Sequence, residues 1–161
     1  MERRPFLVGT ASVLAATAGC VGDAPTTPDD GPAATDTDTP PMSPPTITDR
    51  SFEPRENCPE PGSATVSTDD ARVIVEGCIV GRNGCMVASL ASATYDAVAD
   101  ELSVRVTTVD ESEPDEMCTQ QLVHRGYRAE IRFDGGLPAT TVVTHDGADG
   151  EREVARTEHG D

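Results

Sequence analysis

Five cysteines and three histidines are the residues whose chemistry could define this chain. The cysteines stand at Cys20, Cys58, Cys78, Cys85 and Cys118. Beyond Cys20, successive spacings are twenty, seven and thirty-three residues. Structural zinc sites place ligands two to four residues apart, and a thiol redox pair wants Cys-x-x-Cys. Neither pattern is present, so no metal and no redox pair is expected. A type 1 copper centre needs two His, one Cys and usually a Met. Cys118, His124 and His145 are the available pieces, but no His precedes Cys118 and no Met follows Met117. A Ser or Cys nucleophile would need a base and an orienting acid, and no Gly-x-Ser-x-Gly elbow occurs. The acidic stretch DGADGE (146–151) is too short for a twelve-residue calcium loop and reads as a solvated turn. No glycine loop cradles a phosphate ahead of a helix. No catalytic residue and no cofactor is expected.

The first twenty residues carry a different kind of chemistry. Arg3 and Arg4 precede an uncharged run from Phe6 to about Ala18. That run is too short to span a bilayer, for which about 20 residues are needed, and matches the apolar region of a secretory signal. A buried helix would need polar residues on one face, and Thr10, Ser12 and Thr17 lack that spacing. The segment RRPFL, with Arg3, Arg4, Phe6 and Leu7, resembles a twin-arginine export signal, which is read by a receptor. TAGC, ending at Cys20, resembles a lipobox. Together they resemble a haloarchaeal twin-arginine-exported lipoprotein. The resemblance implies cleavage after residue 19 and lipid attachment at Cys20. It also implies a membrane partner and a place on the extracellular face of the cell membrane.

Composition agrees with that resemblance. The chain of 161 residues has a net charge of −17, and its 12 basic residues are all arginine. Such a surface repels phosphates, so nucleic acid is excluded as a partner. An acidic chain of this kind is either disordered or folded in brine, where salt screens its carboxylates. Clear strand patterns favour folding.

Those patterns define three regions: a signal peptide (1–19), a lipid-anchored linker (20–49) and a β domain (50–161). The linker is rich in Thr, Pro and Asp and has almost nothing to bury, so it is expected to be disordered. In the domain, ARVIVEGCIV (71–80) reads as a strand and CMVASLASATY (85–95) as its return, joined by a tight turn at GRNG (81–84). A helix over 86–99 is the rival reading, without a cap. DAVAD (96–100) reads as a turn and ELSVRVTTV (101–109) as an alternating strand. YRAEIRF (127–133) puts Tyr127, Ala129, Ile131 and Phe133 on one face and Arg128, Glu130 and Arg132 on the other. DGGLP (134–138) is a turn from which TTVVTH (140–145) returns. REVAR (152–156) adds a last edge strand before a frayed tail. Short strands between Gly and Pro turns predict an all-β fold, a small antiparallel sandwich or partly open barrel.

Four cysteines in an exported domain suggest two disulfides. Sequence alone does not choose among the three pairings. Cys58–Cys78 with Cys85–Cys118 is the expected set. The hairpin register would hold Cys78 and Cys85 too far apart to bond. NGC, LSVRV, CTQQL, YRAEIRF and GGLP, over 83–145, resemble a group of haloarchaeal secreted proteins; that resemblance implies no activity. The expected function is a non-enzymatic, lipid-anchored surface domain that binds an envelope protein or a small ligand or supports the envelope. An extracellular hydrolase or a calcium-binding module is the alternative.

Overall fold

The computed structural model describes residues 43–58 and 60–160. Arg3, Arg4, Phe6, Leu7 and Cys20 lie outside the described residues. Among the described residues eight strands follow one another: β1 (Thr46–Arg55), β2 (Ala64–Asp69), β3 (Arg72–Gly81), β4 (Met86–Asp96), β5 (Glu101–Asp110), β6 (Val123–Asp134), β7 (Thr140–Gly147) and β8 (Gly150–Glu158). They form two four-stranded sheets, ordered β1-β6-β3-β2 and β4-β5-β7-β8. All neighbours are antiparallel except β5 and β7, which run parallel. The sheets pack face to face as a sandwich.

Alternation determines which side chains meet between the sheets. Val73, Val75 and Ile79 of β3 and Ala129, Ile131 and Phe133 of β6 line one inner face. Leu102, Val104 and Val106 of β5 and Val143 of β7 line the other. The aromatic residues of the domain are few and pair off. Phe52 stacks on Tyr127 at 5.6 Å, and Tyr95 meets Phe133 edge-on at 6.0 Å. On the outer face of the first sheet, the carboxylates of Glu76 and Glu130 hold Arg55, Arg72 and Arg128. Each such pair contributes little alone, and salt weakens it.

Two expected hairpins are absent. β3 and β4 lie in different sheets, so GRNG is a corner that carries the chain across the sandwich. The same holds for DGGLP between β6 and β7. Side-chain alternation identifies a strand's buried face but not its neighbour, which is why both strands were legible and their pairing was not. The expected turn at 96–100 does join a hairpin, β4 to β5. Asp100 closes it at φ 50°, a conformation Asp tolerates, and accepts a 2.7 Å bond from Tyr95 Oη. Residues 46–49, expected in the linker, belong to β1. The expected frayed tail is in β8 as far as Glu158, and His159 N donates to Ala139 O at 2.7 Å.

Arg125 fastens the first corner. Its Nε donates to Met86 O at 2.6 Å and its guanidinium to Gly84 O at 2.7 Å, joining β6 of one sheet to the start of β4 in the other. Charge-assisted bonds of this kind contribute about 1.5–3 kcal/mol. Arg125→Ala should therefore lower the denaturation free energy by about 2 kcal/mol or more. Arg125→Lys should recover only part of it, because an ammonium lacks the planar fork. Equilibrium denaturation in high salt measures both.

Candidate binding site at the disulfide end

The C-terminal ends of β3, β5 and β7 and the N-terminal ends of β4, β6 and β8 gather at one end of the sandwich. The chain enters β1 at the opposite end, where Thr46 pairs with Asp134. Both disulfides lie at the gathered end, with the expected pairing: Cys58–Cys78 and Cys85–Cys118, at Cα separations of 5.5 and 5.4 Å. Cys78 and Cys85 are kept apart by the corner rather than by a hairpin register. Cys58–Cys78 holds the segment before β2 against β3, and Gly62 N donates to Cys78 O at 2.7 Å. Cys85–Cys118 holds the acidic loop after β5, and Gly84 N donates to Thr119 O at 2.9 Å.

Beneath this rim sits a buried polar pair that crosses between the sheets. Tyr127 Oη of β6 lies 2.7 Å from Nε2 of His145 on β7. Both residues are almost wholly enclosed, at 1% and 3% exposure. Gly77, directly opposite Tyr127 in the β3–β6 register, makes room for the phenol. A Cβ there would stand 2.4 Å from Tyr127 Oη and 2.9 Å from Ser63 O. Burial pushes the Tyr127 phenol well above its ordinary range, so it stays protonated. Burial, reinforced by the charge of Arg152, lowers His145 to about 4, so it stays neutral. His145 Nδ1 has no partner among the described residues. A cavity of about 10 Å³ borders the ring, walled by Gly62, Val80, Gly147 and Arg152.

The His145 shift fixes a pH dependence. In the unfolded chain His145 takes up its proton below about 6.5, whereas the folded protein resists until about 4. The unfolded state therefore binds more protons across that window, and stability falls as pH drops through it. Denaturation midpoints measured from pH 7 to pH 4 should show a loss of about 2–3 kcal/mol. His145→Gln should flatten that part of the profile.

Above Tyr127 an open cleft of about 270 Å³ is walled by the Cys58–Cys78 disulfide, Arg55, Glu60, Ser63 and Glu76. Two of its charges are paired: Glu76 accepts from Arg55 at 3.0 Å and also from Arg128 at 3.2 Å. Ser63 Oγ donates to Glu60 O at 2.7 Å and has no base beside it. The arrangement suits reversible recognition of a small polar or zwitterionic group by the Arg55–Glu76 ion pair beside the Cys58–Cys78 disulfide. A larger hollow, about 800 Å³, lies at the opposite end, walled by Pro44, Pro45 and Leu137. Its histidine, His159, is bonded to Thr141 Oγ1 at 2.8 Å.

The residues weighed for copper do not converge. Cys118 is in a disulfide, His145 is buried against Tyr127, and His124 is exposed near the start of β6. Ligand atoms of Cys85, Cys118 and Asp110 lie within 4.8 Å of one another. In the oxidised protein the two sulfurs bond to each other, and Asp110 accepts from Ser112 N and Oγ at 3.0 and 2.6 Å. DGADGE forms the β7–β8 turn, with Gly150 at φ 83°. His145 was weighed as a copper ligand, but its burial with Thr141 was not legible, because the inward face of β7 reads Thr141, Val143, His145. Polar residues at two of three inward positions leave no apolar alternation to detect.

The fold and its clamped end define a class: a small, disulfide-bonded β-sandwich module with an end-on polar cleft. No family model matches the chain, and neither a curated protein nor a solved structure matches it.

Proposed function

We propose that this chain is a halophilic, lipid-anchored cell-surface module, exported through the twin-arginine route, that acts by binding and not by catalysis. Lipid on Cys20 would hold it to the extracellular face of the membrane, with residues 20 to about 45 as the stalk. The observation that carries the binding reading is the opposition of the two ends. The chain joins the sandwich at one end, while both disulfides and the Arg55–Glu76 cleft occupy the other. Binding of a small ligand or an envelope protein at the second end would leave the start of β1 free of it. Two disulfides support an oxidising setting.

The test is chemical cross-linking of the full-length protein on native membranes at high salt. Cross-links should concentrate on residues 55–63 and 76–78 and disappear in an Arg55→Ala/Glu76→Ala variant. Cross-links spread evenly over the domain, or unchanged in that variant, would overturn the assignment of the cleft.

A further inference from the structure

Four strands lie at sheet edges: β1, β2, β4 and β8. Exposed edges invite pairing with another chain, and proteins guard them with charges, prolines or bulges. β1 carries Asp49, Arg50, Glu53, Pro54 and Arg55, and its register shifts at Ile47/Asp49. β8 carries Glu151, Arg152, Glu153, Arg156 and Glu158, and the β7–β8 register also shifts. β4 is bulged between Leu90 and Ser92. Two of its carbonyls are taken by guanidinium groups, Met86 O by Arg125 and Ala93 O by Arg50. β2 is guarded only at its ends, by Asp69 and by Arg152, which donates to Gly62 O just ahead of the strand. From Ala64 to Thr68 it reads ATVST, without charge, proline or bulge, in a chain of net charge −17.

The register tells which backbone groups of β2 are free. Cys78 N donates to Ser63 O at 2.9 Å, one step before the ladder begins. Bonded and non-bonded pairs alternate between antiparallel strands. Thr65/Glu76, Ser67/Ile74 and Asp69/Arg72 are therefore the bonded pairs. Ala64, Val66 and Thr68 turn their N–H and C=O groups away from β3. No strand pairs with that side among the described residues.

We infer that β2 pairs with β2 of a second copy of this chain, antiparallel about a twofold axis through Val66. The strand is complementary to itself in that register. Val66 faces Val66 of the second copy, and Ala64 faces Thr68 of the second copy, giving roughly six main-chain hydrogen bonds. Charge also fits. Asp69 and Asp70 of one copy come beside Ser63 and Gly62 of the second copy, where Arg152 donates to Gly62 O at 2.9 Å. The two sheets then join into one running β1-β6-β3-β2 and on through the second copy in reverse. The remaining surface is acidic in both copies, so association strengthens as salt rises and screens their repulsion.

Sedimentation of the full oxidised protein over a concentration series, at low and high salt, is the test. A dimer that tightens with salt is expected, with the amides of Ala64, Val66 and Thr68 protected from hydrogen exchange only in the dimer. Val66→Pro removes the central outward N–H without touching a β3 bond, and should raise the dimer Kd about tenfold or more. The exposed pair Thr65→Glu/Ser67→Glu places Glu against Glu across the axis, keeps the fold, and should have at least that effect. A monomer at every concentration and salt, or a dimer unmoved by the double Glu variant, would overturn the proposal.

Discussion

Reducing both disulfides should lower the folding stability of the domain by about 6–7 kcal/mol, the largest effect expected of any single treatment. The bridges close chain segments of 20 and 33 residues. Loop entropy alone assigns about 3 kcal/mol to the shorter and slightly more to the longer. Domains of this size are stable by about 5–15 kcal/mol, so reduction leaves little in reserve. The core offers no compensation, since it holds four aromatic side chains and mostly Val and Ala around them. Denaturation at high salt, with and without a thiol reductant, gives the total. Cys58→Ala/Cys78→Ala and Cys85→Ala/Cys118→Ala variants apportion it. The first pair should also free residues 56–63 from β3 and open the cleft; the second should free the loop after β5. A combined loss under about 1 kcal/mol would show that the clamps hold nothing the sheets do not.

The second large effect concerns the cross-sheet pair. Tyr127→Ala should cost about 3–5 kcal/mol, because it empties a fully buried aromatic position and strips His145 of its one hydrogen bond. Gly77→Ala attacks the same contact from the neighbouring strand. Its methyl would overlap the phenol at 2.4 Å and crowd Ser63 O at 2.9 Å, so one strand or the ring must shift. Overpacking of this sort costs about 1–3 kcal/mol, with the hydrogen bond to His145 lost in addition. The two substitutions should not add. In the Tyr127→Ala background the phenol is gone, and Gly77→Ala should cost at least 1 kcal/mol less than it does alone, by the logic of a double-mutant cycle. Simple additivity would mean that the glycine answers to Ser63 and the backbone alone. Tyr127→Phe isolates the polar part, since it leaves both ring nitrogens of His145 unpaired at about 1–3 kcal/mol.

How far the sequence reached depended on what each segment buries. β5 and β6 were plain because one face is wholly apolar: Leu102, Val104 and Val106, then Tyr127, Ala129, Ile131 and Phe133. β1 and β2 were not assigned. They lie at sheet edges, and most of their side chains are exposed on both faces, so TITDRSFEPR and ATVSTD carry little alternation. Sheet partnership was hidden throughout, since it arises from how the two layers divide the strands. The disulfide pairing was reached correctly although the expected β3–β4 hairpin does not form. Corner and hairpin alike keep Cys78 from Cys85, and that coincidence protected the conclusion. The cleft at Arg55, Glu60 and Glu76 was out of reach, because β1, the segment before β2 and β3 meet there only once the sheet is assembled.

On the proposed reading the protein is an oxidised module carried outside the membrane by lipid on Cys20, and a non-reduced tryptic digest tests anchor and bridges together. The chain has no lysine, and its arginines place each of the four cysteines after Cys20 on a separate tryptic fragment: 56–72, 73–82, 83–105 and 106–125. Mass spectrometry of a non-reduced digest of protein taken from native membranes should yield 56–72 joined to 73–82, and 83–105 joined to 106–125. The N-terminal fragment should run from Cys20 to Arg50 and carry the mass of a lipid. An N-terminus at Met1 or an unmodified Cys20 would contradict the account of its anchorage. Four free thiols on the separate fragments would contradict the oxidised, extracytoplasmic fold itself.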